Sequence, residues 1–322
     1  MNAFLKHVAE DLYKKYGNRL ADTAIVFPNK RAGLFFNEYL KQMSAEPLWS
    51  PAYMTINELF AECSDLVEGD IILLVSKLYK VFCKHTGSSE PLDRFYYWGE
   101  MLIKDFDDID KNLVDAEKLF VNLKELREMG NAADILDDEQ KKAIQQFFAN
   151  FNSDEKNEIK RRFLDVWRVL LPIYSDFRES LRSEGIAYSG MMCREVIESN
   201  KELLFPFDKY IFVGFNALNR SEAAMFRILQ QQEKALFYWD YDVVYTNDKH
   251  HEAGRFMREN LEKYPNAMQS DVYDNLGKKK NITFISAATE NIQTRYLADW
   301  LSSNVDSNEI ENAVVLCDES LL

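Results

Sequence analysis

The amino-acid sequence predicts an α/β fold, a parallel sheet interrupted by a large all-helical insertion. Two stretches, residues 1–67 and 201–268, alternate short apolar runs with amphipathic helical patterns. Such alternation with short links is typical of a parallel sheet with helices on both faces. Residues 68–200 show helical periodicity and no convincing strand, which indicates the insertion. Residues 269–322 resume the alternation and predict the truncated start of a second α/β domain.

The first α/β stretch begins with a helix around residues 4–12, where apolar side chains share one face. Strands are predicted over Thr23–Phe27 and Ala52–Ile56, with a helix over Lys30–Met43 between them. Thr55 followed by Glu58 fits a capping box at the start of a further helix.

The insertion contains five predicted helices, over Ile71–His85, Leu92–Phe106, Val114–Met129, Glu139–Phe151 and Glu155–Ser183. Acidic residues such as DFDDID at 105–110 indicate outward faces in contact with water. Later strands are predicted over Tyr210–Gly214, Ala235–Trp239, Ile282–Ala287 and Ala313–Leu316, and later helices after Asn219, over Glu252–Tyr264 and over Asn291–Leu301. Since the last strand has almost no chain after it, we expect a fragment of a longer protein or a chain that docks against a partner.

Composition narrows the class of protein. The chain has 322 residues, 47% of them hydrophobic, which suffices for two or three domains with their own cores. No run approaches the ~18 apolar residues of a membrane span, and the first residues lack the apolar core of a signal peptide. The four cysteines form no CxxC pair, which favours reduced, buried thiols in a cytoplasmic protein.

The charge distribution is uneven. The net charge of -14 counts against nucleic acid as a default partner. Residues 1–50, however, carry 7 basic and 5 acidic residues. Residues 51–150 carry 11 and 20, and residues 151–322 carry 21 and 28, so the first of these three segments is the only net-positive one. Because local charge determines contacts with phosphates, the acidic total does not exclude nucleic acid.

Catalytic motifs are not found in the sequence. The only glycines at phosphate-loop spacing, Gly185 and Gly190, are followed by Met191 and Met192, which favours a helix–helix turn. The Glu139-Gln140-Lys141 triplet has nuclease-like spacing but lies in the helical insertion. The sequence therefore predicts no enzyme activity and no cofactor for this chain.

The pair Asp240 and Asp242 follows a predicted strand. Two carboxylates at this spacing in an extended segment point the same way, which makes a metal site conceivable. Helix capping and contact with water are the favoured alternative, because short motifs are weak signals.

The candidate binding residues are Asn29, Lys30 and Arg31, which lie where the first strand runs into its helix, with Lys30 and Arg31 at the helix N-terminus. Ligands of parallel sheets bind at the carboxyl ends of the strands. Two cations at a helix N-terminus oppose the helix dipole unless an anion is near, which favours phosphate binding. A basic turn exposed to water is the alternative and stays open on these grounds.

Four segments resemble the sequence motifs of a known family, and they occur in the same order and at similar spacing. TAIVFPNKRAGLFFNEYL resembles motif Ia of superfamily 1 helicases, and more closely the same segment of AddB-type subunits of bacterial helicase–nuclease complexes for double-strand break repair. DKYIFVGFNALNRSEAAMFRIL and KALFYWDYDVVY resemble the motif II and motif III regions. ITFISAATENIQTRYLADWL, followed by NAVVLCDESLL, resembles the start of the second motor domain.

This resemblance implies a RecA-like fold of superfamily 1 helicase type with a 1B-like helical insertion. Three departures imply an inactivated motor. The phosphate loop that precedes motif Ia is missing, the motif II strand ends without an acid, and Asp318-Glu319 stand where motif IV carries an arginine. The family's PD-(D/E)XK nuclease domain would lie beyond residue 322.

The function that the resemblance implies is non-catalytic. The module is expected to guide or scan a single DNA strand and to scaffold an AddA-like motor/nuclease partner. Asn29, Lys30 and Arg31 contact the strand's phosphates, and Phe35 either stacks on a base or, as we favour, packs in the core. The alternative is a protein–protein interaction module with an acidic surface and no DNA contact.

Overall fold

A computed structural model describes residues 3–44, 47–89, 91–120, 156–199, 203–268, 273–304 and 313–316, with the backbone alone for 156–168. The chain divides into two compact units, Met1–Asn275 and Leu276–Leu322. The sequence-based domain limits at residues 67, 200 and 268 stay predictions.

The first unit is built on a parallel sheet. The strands are β1 (Thr23–Phe27), β2 (Ala52–Thr55), β3 (Val67–Glu68), β4 (Ile186–Ala187), β5 (Lys209–Val213) and β6 (Ala235–Tyr238). The main sheet has the order β2-β1-β5-β6, and all its pairs are parallel. The predictions of an α/β class and of a parallel sheet are thereby confirmed.

The helices predicted over Lys30–Met43, Ile71–His85, Leu92–Phe106, Glu155–Ser183 and Glu252–Tyr264 form with ends within five residues of the prediction, whereas those over Ser189–Glu198 and Val243–Asn247 were not predicted. The helices of the first unit include α1 (Phe4–Tyr16), α2 (Lys30–Met43), α3 (Ile56–Glu62), α4 (Ile71–Thr86), α5 (Leu92–Lys111), α6 (Lys156–Ser183), α7 (Ser189–Glu198), α8 (Arg220–Gln231), α9 (Val243–Asn247) and α10 (Arg255–Lys263). The predicted capping box of Thr55 with Glu58 forms at α3, and Asn219 with Glu222 forms a second one at α8.

The sheet buries a core on each face. Along β1, Ala24 and Val26 join one core, while Ile25 and Phe27 join the other. This alternation follows from the period of two in a strand. Helices α3, α7, α8 and α10 contribute to the first core, and α1 and α2 to the second. Because β1 is covered on both sides, all five of its residues are buried.

The segment between β2 and β5 forms a third core from α4, α5, α6 and α7. The sequence analysis predicted no strand in this segment, and that prediction is wrong, because the two-residue strands β3 and β4 pair in parallel there. Gly185, just before β4, has φ +72°, a conformation that favours glycine. The sequence between Gly185 and Gly190 is therefore a short strand running into α7, and not a simple helix–helix turn.

The acidic run DFDDID at 105–110 is not exposed throughout, in contrast to the prediction. It was predicted to face water, but Asp110 is fully buried and lies at the centre of an ionic network. Its Oδ1 lies 2.7 Å from Nε of Arg194 and accepts a hydrogen bond of 2.5 Å from the hydroxyl of Tyr174. Its Oδ2 accepts a hydrogen bond from Tyr188. Asp110 therefore joins α5 to α6 and α7.

The second unit contains α11 (Glu290–Asn304), which confirms the predicted helix over Asn291–Leu301. The strands predicted over Ile282–Ala287 and Ala313–Leu316 are wrong, because both segments lack strand pairing. Phe284 is 92% exposed, so within the described residues of this unit the apolar run has no sheet to join. The helix predicted over Glu139–Phe151, most of that over Val114–Met129 and the Glu139-Gln140-Lys141 triplet lie outside the described residues.

Cys63, Cys83 and Cys193 form no disulfide, as expected for reduced thiols. Burial raises the pKa of the Cys193 thiol to about 12 and that of Cys63 to about 11, so both are protonated and unreactive near neutral pH. In the ranges that the structure describes, no helix combines the length and apolarity needed to cross a membrane.

Candidate nucleic-acid interface

The order of the strands creates a crevice between β1 and β5. The chain passes from β1 to β2 on one side and returns to β5 on the other side of β1. The helices that follow β1 and β5, α2 and α8, pack in cores on opposite faces of the sheet. Ligands of open parallel sheets bind outside the carboxyl ends of the strands at such a reversal. Residues 28–31 follow β1 and residues 214–220 follow β5 at this reversal, and we call these two segments the switch edge.

Asn29 caps α2. Its backbone is extended (φ -146°, ψ 156°), and its Oδ1 accepts a hydrogen bond of 3.2 Å from the backbone N–H of Ala32. This contact fixes where the helix begins. It also leaves the side-chain amide nitrogen as the group with which Asn29 can donate to a ligand.

Lys30 forms an ion pair across the carboxyl edge of the sheet. Its Nζ lies 2.7 Å from Oε1 of Glu58, which follows β2. The hydrogen bond between them raises the pKa of Lys30 and lowers that of Glu58. Glu58 also accepts a hydrogen bond of 2.8 Å from the backbone N–H of Thr55. Since Lys30 is well exposed, the pair is weak, and a phosphate can compete for the ammonium group.

Arg31 differs from Lys30 because no acidic side chain in the described part of the chain pairs with it. It is exposed, and within the described ranges it makes no hydrogen bond and no ion pair. It lies in the first turn of α2, a turn without acidic residues, where a cation opposes the helix dipole. An anionic ligand at this edge would offset both the charge of Arg31 and the positive end of the helix dipole.

The outer face of α2 carries two exposed apolar side chains, Leu34 (74% exposed) and Phe35 (54% exposed). The favoured prediction that Phe35 packs in the core is therefore wrong, because Phe36 and Leu40 occupy the buried face. Phe35 lies four residues after Arg31, so both side chains belong to one face of the helix. An accessible aromatic ring next to a cation is a combination that binds single-stranded nucleic acid.

The β5 side of the switch edge contributes a cation that the sequence analysis missed. Arg220, the first residue of α8, is exposed and has no hydrogen bond or ion pair among the described residues. Before it, Gly214 adopts φ +76° and is exposed, while Phe215 is buried against Phe226. Arg31 and Arg220 thus follow neighbouring strands of the sheet.

Helix capping explains Asp242, the second member of the Asp240 and Asp242 pair. Asp242 caps α9 through a hydrogen bond of 3.0 Å from Val244 N–H to Oδ1, and its Oδ2 accepts one of 2.8 Å from Asn275 N–H. The capping alternative is therefore confirmed for Asp242. Asp240 is exposed at the carboxyl edge of the sheet. Partial burial of its carboxyl group raises its pKa. The described residues contain no cluster of three or more His, Cys, Asp or Glu placed to hold a metal ion.

A scan against protein-family models and a search of curated proteins found no match to this chain.

Replacing Glu58 by glutamine tests the role of the Lys30 ion pair. Glutamine keeps the capping box but removes the competing carboxylate. We expect Glu58→Gln to bind single-stranded DNA about two- to threefold more tightly at low salt, because Lys30 becomes available to phosphates. Fluorescence anisotropy with a labelled oligo(dT) measures the change. Weaker binding than in the wild type would show that Glu58 supports the site.

Proposed function

We propose that this chain is a non-catalytic, helicase-like module that guides a single DNA strand along its switch edge. The observation that carries the proposal is Arg31, an exposed cation at the sheet reversal with no acidic partner among the described residues. Lys30 and Asn29 lie beside it, and Arg220 enters from the neighbouring strand. Lys30, Arg31 and Arg220 supply the positive potential that a phosphate backbone requires, and Asn29 can donate a hydrogen bond from its amide nitrogen.

The same residues predict binding without sequence preference. Contacts to phosphates position a nucleic acid but do not read its bases. Phe35 is placed to stack on a base, which every base tolerates and which favours single strands over duplex. The chain's net charge of -14 would repel DNA from most other surfaces, so the strand is expected to follow this locally basic edge.

We further propose that the sheet is of the RecA-like, superfamily 1 type and that the chain is part of an AddB-type DNA-repair subunit. The parallel sheet, the long helical segment between β2 and β5, and the ordered motif-like segments support this assignment. In this role the module scaffolds an AddA-like motor/nuclease partner and does not hydrolyse ATP. The end of β5 supports the inactive state, because Gly214, Phe215 and Asn216 replace the acid that would hold magnesium.

The experiment compares two double variants in binding to labelled oligo(dT). Lys30→Ala/Arg31→Ala removes two charges at the switch edge. Arg19→Ala/Lys41→Ala removes two exposed charges from the turn before β1 and from the last turn of α2, at the opposite edge. We expect the first variant to bind about tenfold or more weakly at low salt, and the control to bind like the wild type.

Two outcomes would contradict the proposal. Equal losses in both variants would assign the binding to overall charge and not to the switch edge. No binding by the wild type at low salt would favour the alternative function, a protein–protein interaction module.

A further inference from the structure

A stripe of exposed apolar side chains runs along helix α5. The exposed fraction is 68% for Tyr97, 46% for Trp98 and 37% for Met101. Met101 follows the other two by four and three positions, so the three side chains are neighbours on one face of the helix. The rings of Tyr97 and Trp98 are in edge contact, with their centroids 6.0 Å apart. The three residues therefore form one contiguous patch, which we call the α5 stripe.

The α5 stripe lies outside the three cores described above. Helix α5 is buried through its opposite face, where Phe95, Ile103 and Phe106 join the core of the helical segment. Tyrosine, tryptophan and methionine are enriched in protein–protein interfaces relative to the rest of the surface. A contiguous exposed patch of these three residue types is therefore expected to be a docking surface.

Four charged side chains border the α5 stripe. Arg94 and Asp105 are eleven positions apart, which at about 100° per residue places them on one edge of the stripe. Asp93 and Lys104 have the same spacing and lie on the other edge. All four are exposed, and in the described part of the chain none forms a side-chain hydrogen bond or ion pair, although Lys104 and Asp108 act electrostatically on Asp105. The order of the charges is thus reversed between the two edges, with the cation first on one and the anion first on the other.

We propose that the α5 stripe is the contact between two copies of this chain, with their α5 helices antiparallel about a two-fold axis. In such a pair each edge of one helix lies against the same edge of the other. An axis at the centre of the stripe places Arg94 of one copy opposite Asp105 of the other, and Lys104 opposite Asp93. Each of these charge pairs is level to within about 1.5 Å, the rise of one residue. This inference goes beyond the strand-guiding function and does not depend on it.

The charges decide between the possible occupants. A second copy supplies the complementary pattern by symmetry, so that all four border charges meet an opposite charge. Nucleic acid or anionic lipid would meet two cations and three carboxylates, those of Asp93, Asp105 and Asp108. A second copy of the chain is therefore the occupant that this face of α5 fits best.

Sedimentation velocity of the full chain over a concentration series measures the self-association. One helix face buries less area than a standard protein–protein interface, so we expect a weak dimer with a dissociation constant in the micromolar range. Tyr97→Ser tests the apolar centre and is expected to weaken the dimer about tenfold. Trp49→Ser changes a residue that is 83% exposed in the loop before β2, and it should associate like the wild type.

Two charge reversals test the antiparallel pairing. Arg94→Asp places carboxylates opposite each other at both ends of the contact, and Asp105→Arg places guanidinium groups opposite each other there. Each variant alone is expected to associate about tenfold or more weakly than the wild type. An equimolar mixture of the two variants is expected to associate about as strongly as the wild type, because each introduced charge then faces an opposite one. Circular dichroism and the urea midpoint of each variant establish that it is folded.

Four results would overturn the proposal. A wild-type chain that stays monomeric throughout the series has no such contact. A dimer that Arg94→Asp leaves intact is held by another surface. A mixture that associates no better than its separate components excludes the antiparallel pairing. Loss of oligo(dT) binding in Tyr97→Ser without a change in self-association would assign the α5 stripe to nucleic acid.

Discussion

Asp110→Ala is expected to destabilise the first unit by about 3–5 kcal/mol, the largest effect of any single substitution considered for this protein. The carboxylate is fully buried and faces two arginines, Arg178 and Arg194, whose side chains are also nearly buried. Removal of the anion would leave both guanidinium groups without their shared counter-charge. A buried charge that loses its partner costs far more than the pair itself contributes.

The hydroxyl groups around Asp110 add to this expectation. Tyr174 and Tyr188 both donate hydrogen bonds to the carboxylate. Burial, followed by the negative charge of Asp110, raises the pKa of both tyrosines, so they stay protonated donors over the physiological range. With alanine at position 110, both donors would be buried without an acceptor.

The measurement is a urea titration of the full chain followed by far-UV circular dichroism. Asp108→Ala, in the same acidic run but exposed, is the matched control and should change stability by less than about 0.5 kcal/mol. A loss below about 1 kcal/mol in Asp110→Ala would contradict the network described for α5, α6 and α7.

Gly190→Ala is the second substitution with a large expected effect, a loss of about 2–3 kcal/mol. An added Cβ would lie far inside the contact distance of the Asp107 carbonyl oxygen on α5. The backbone of α7 already touches α5 here, since Gly190 N–H donates to Oδ1 of Asp107 at 2.5 Å. Because the obstacle is backbone, α7 itself would have to move away from α5.

The neighbouring residue provides the control for Gly190→Ala. Ser189→Ala changes the first residue of the same helix and is expected to have little effect on the urea midpoint. Equal midpoints for Gly190→Ala and the wild type would show that α5 and α7 do not approach as closely as described. The close approach of α7 to α5 explains why residue 190 is a glycine, so a phosphate loop is not needed to account for it.

Local features of the fold were predictable from the sequence. The apolar run Thr23–Phe27 predicted β1, and the helical pattern over Lys30–Met43 predicted α2. The Thr55–Glu58 spacing predicted the capping box of α3. These features depend on residues within four positions of each other, so the sequence contains the information that they require.

The errors share a physical cause. Phe35 was placed in the core because three apolar residues stand together, but a helix buries one face, and Phe36 determines which. Asp110 was placed in water because its partners, Arg178 and Arg194, lie far along the chain. Arg220 was missed because only the order of strands in the sheet shows that β5 neighbours β1.

The salt dependence of oligo(dT) binding tests the strand-guiding role most directly. For single strands, the slope of log K against log salt falls by about 0.7 for each phosphate contact. Arg31→Ala/Arg220→Ala removes two proposed contacts, so its negative slope should be shallower than that of the wild type by about 1.4. Arg19→Ala/Lys41→Ala should keep the wild-type slope. An unchanged slope in Arg31→Ala/Arg220→Ala would contradict a DNA strand at the switch edge.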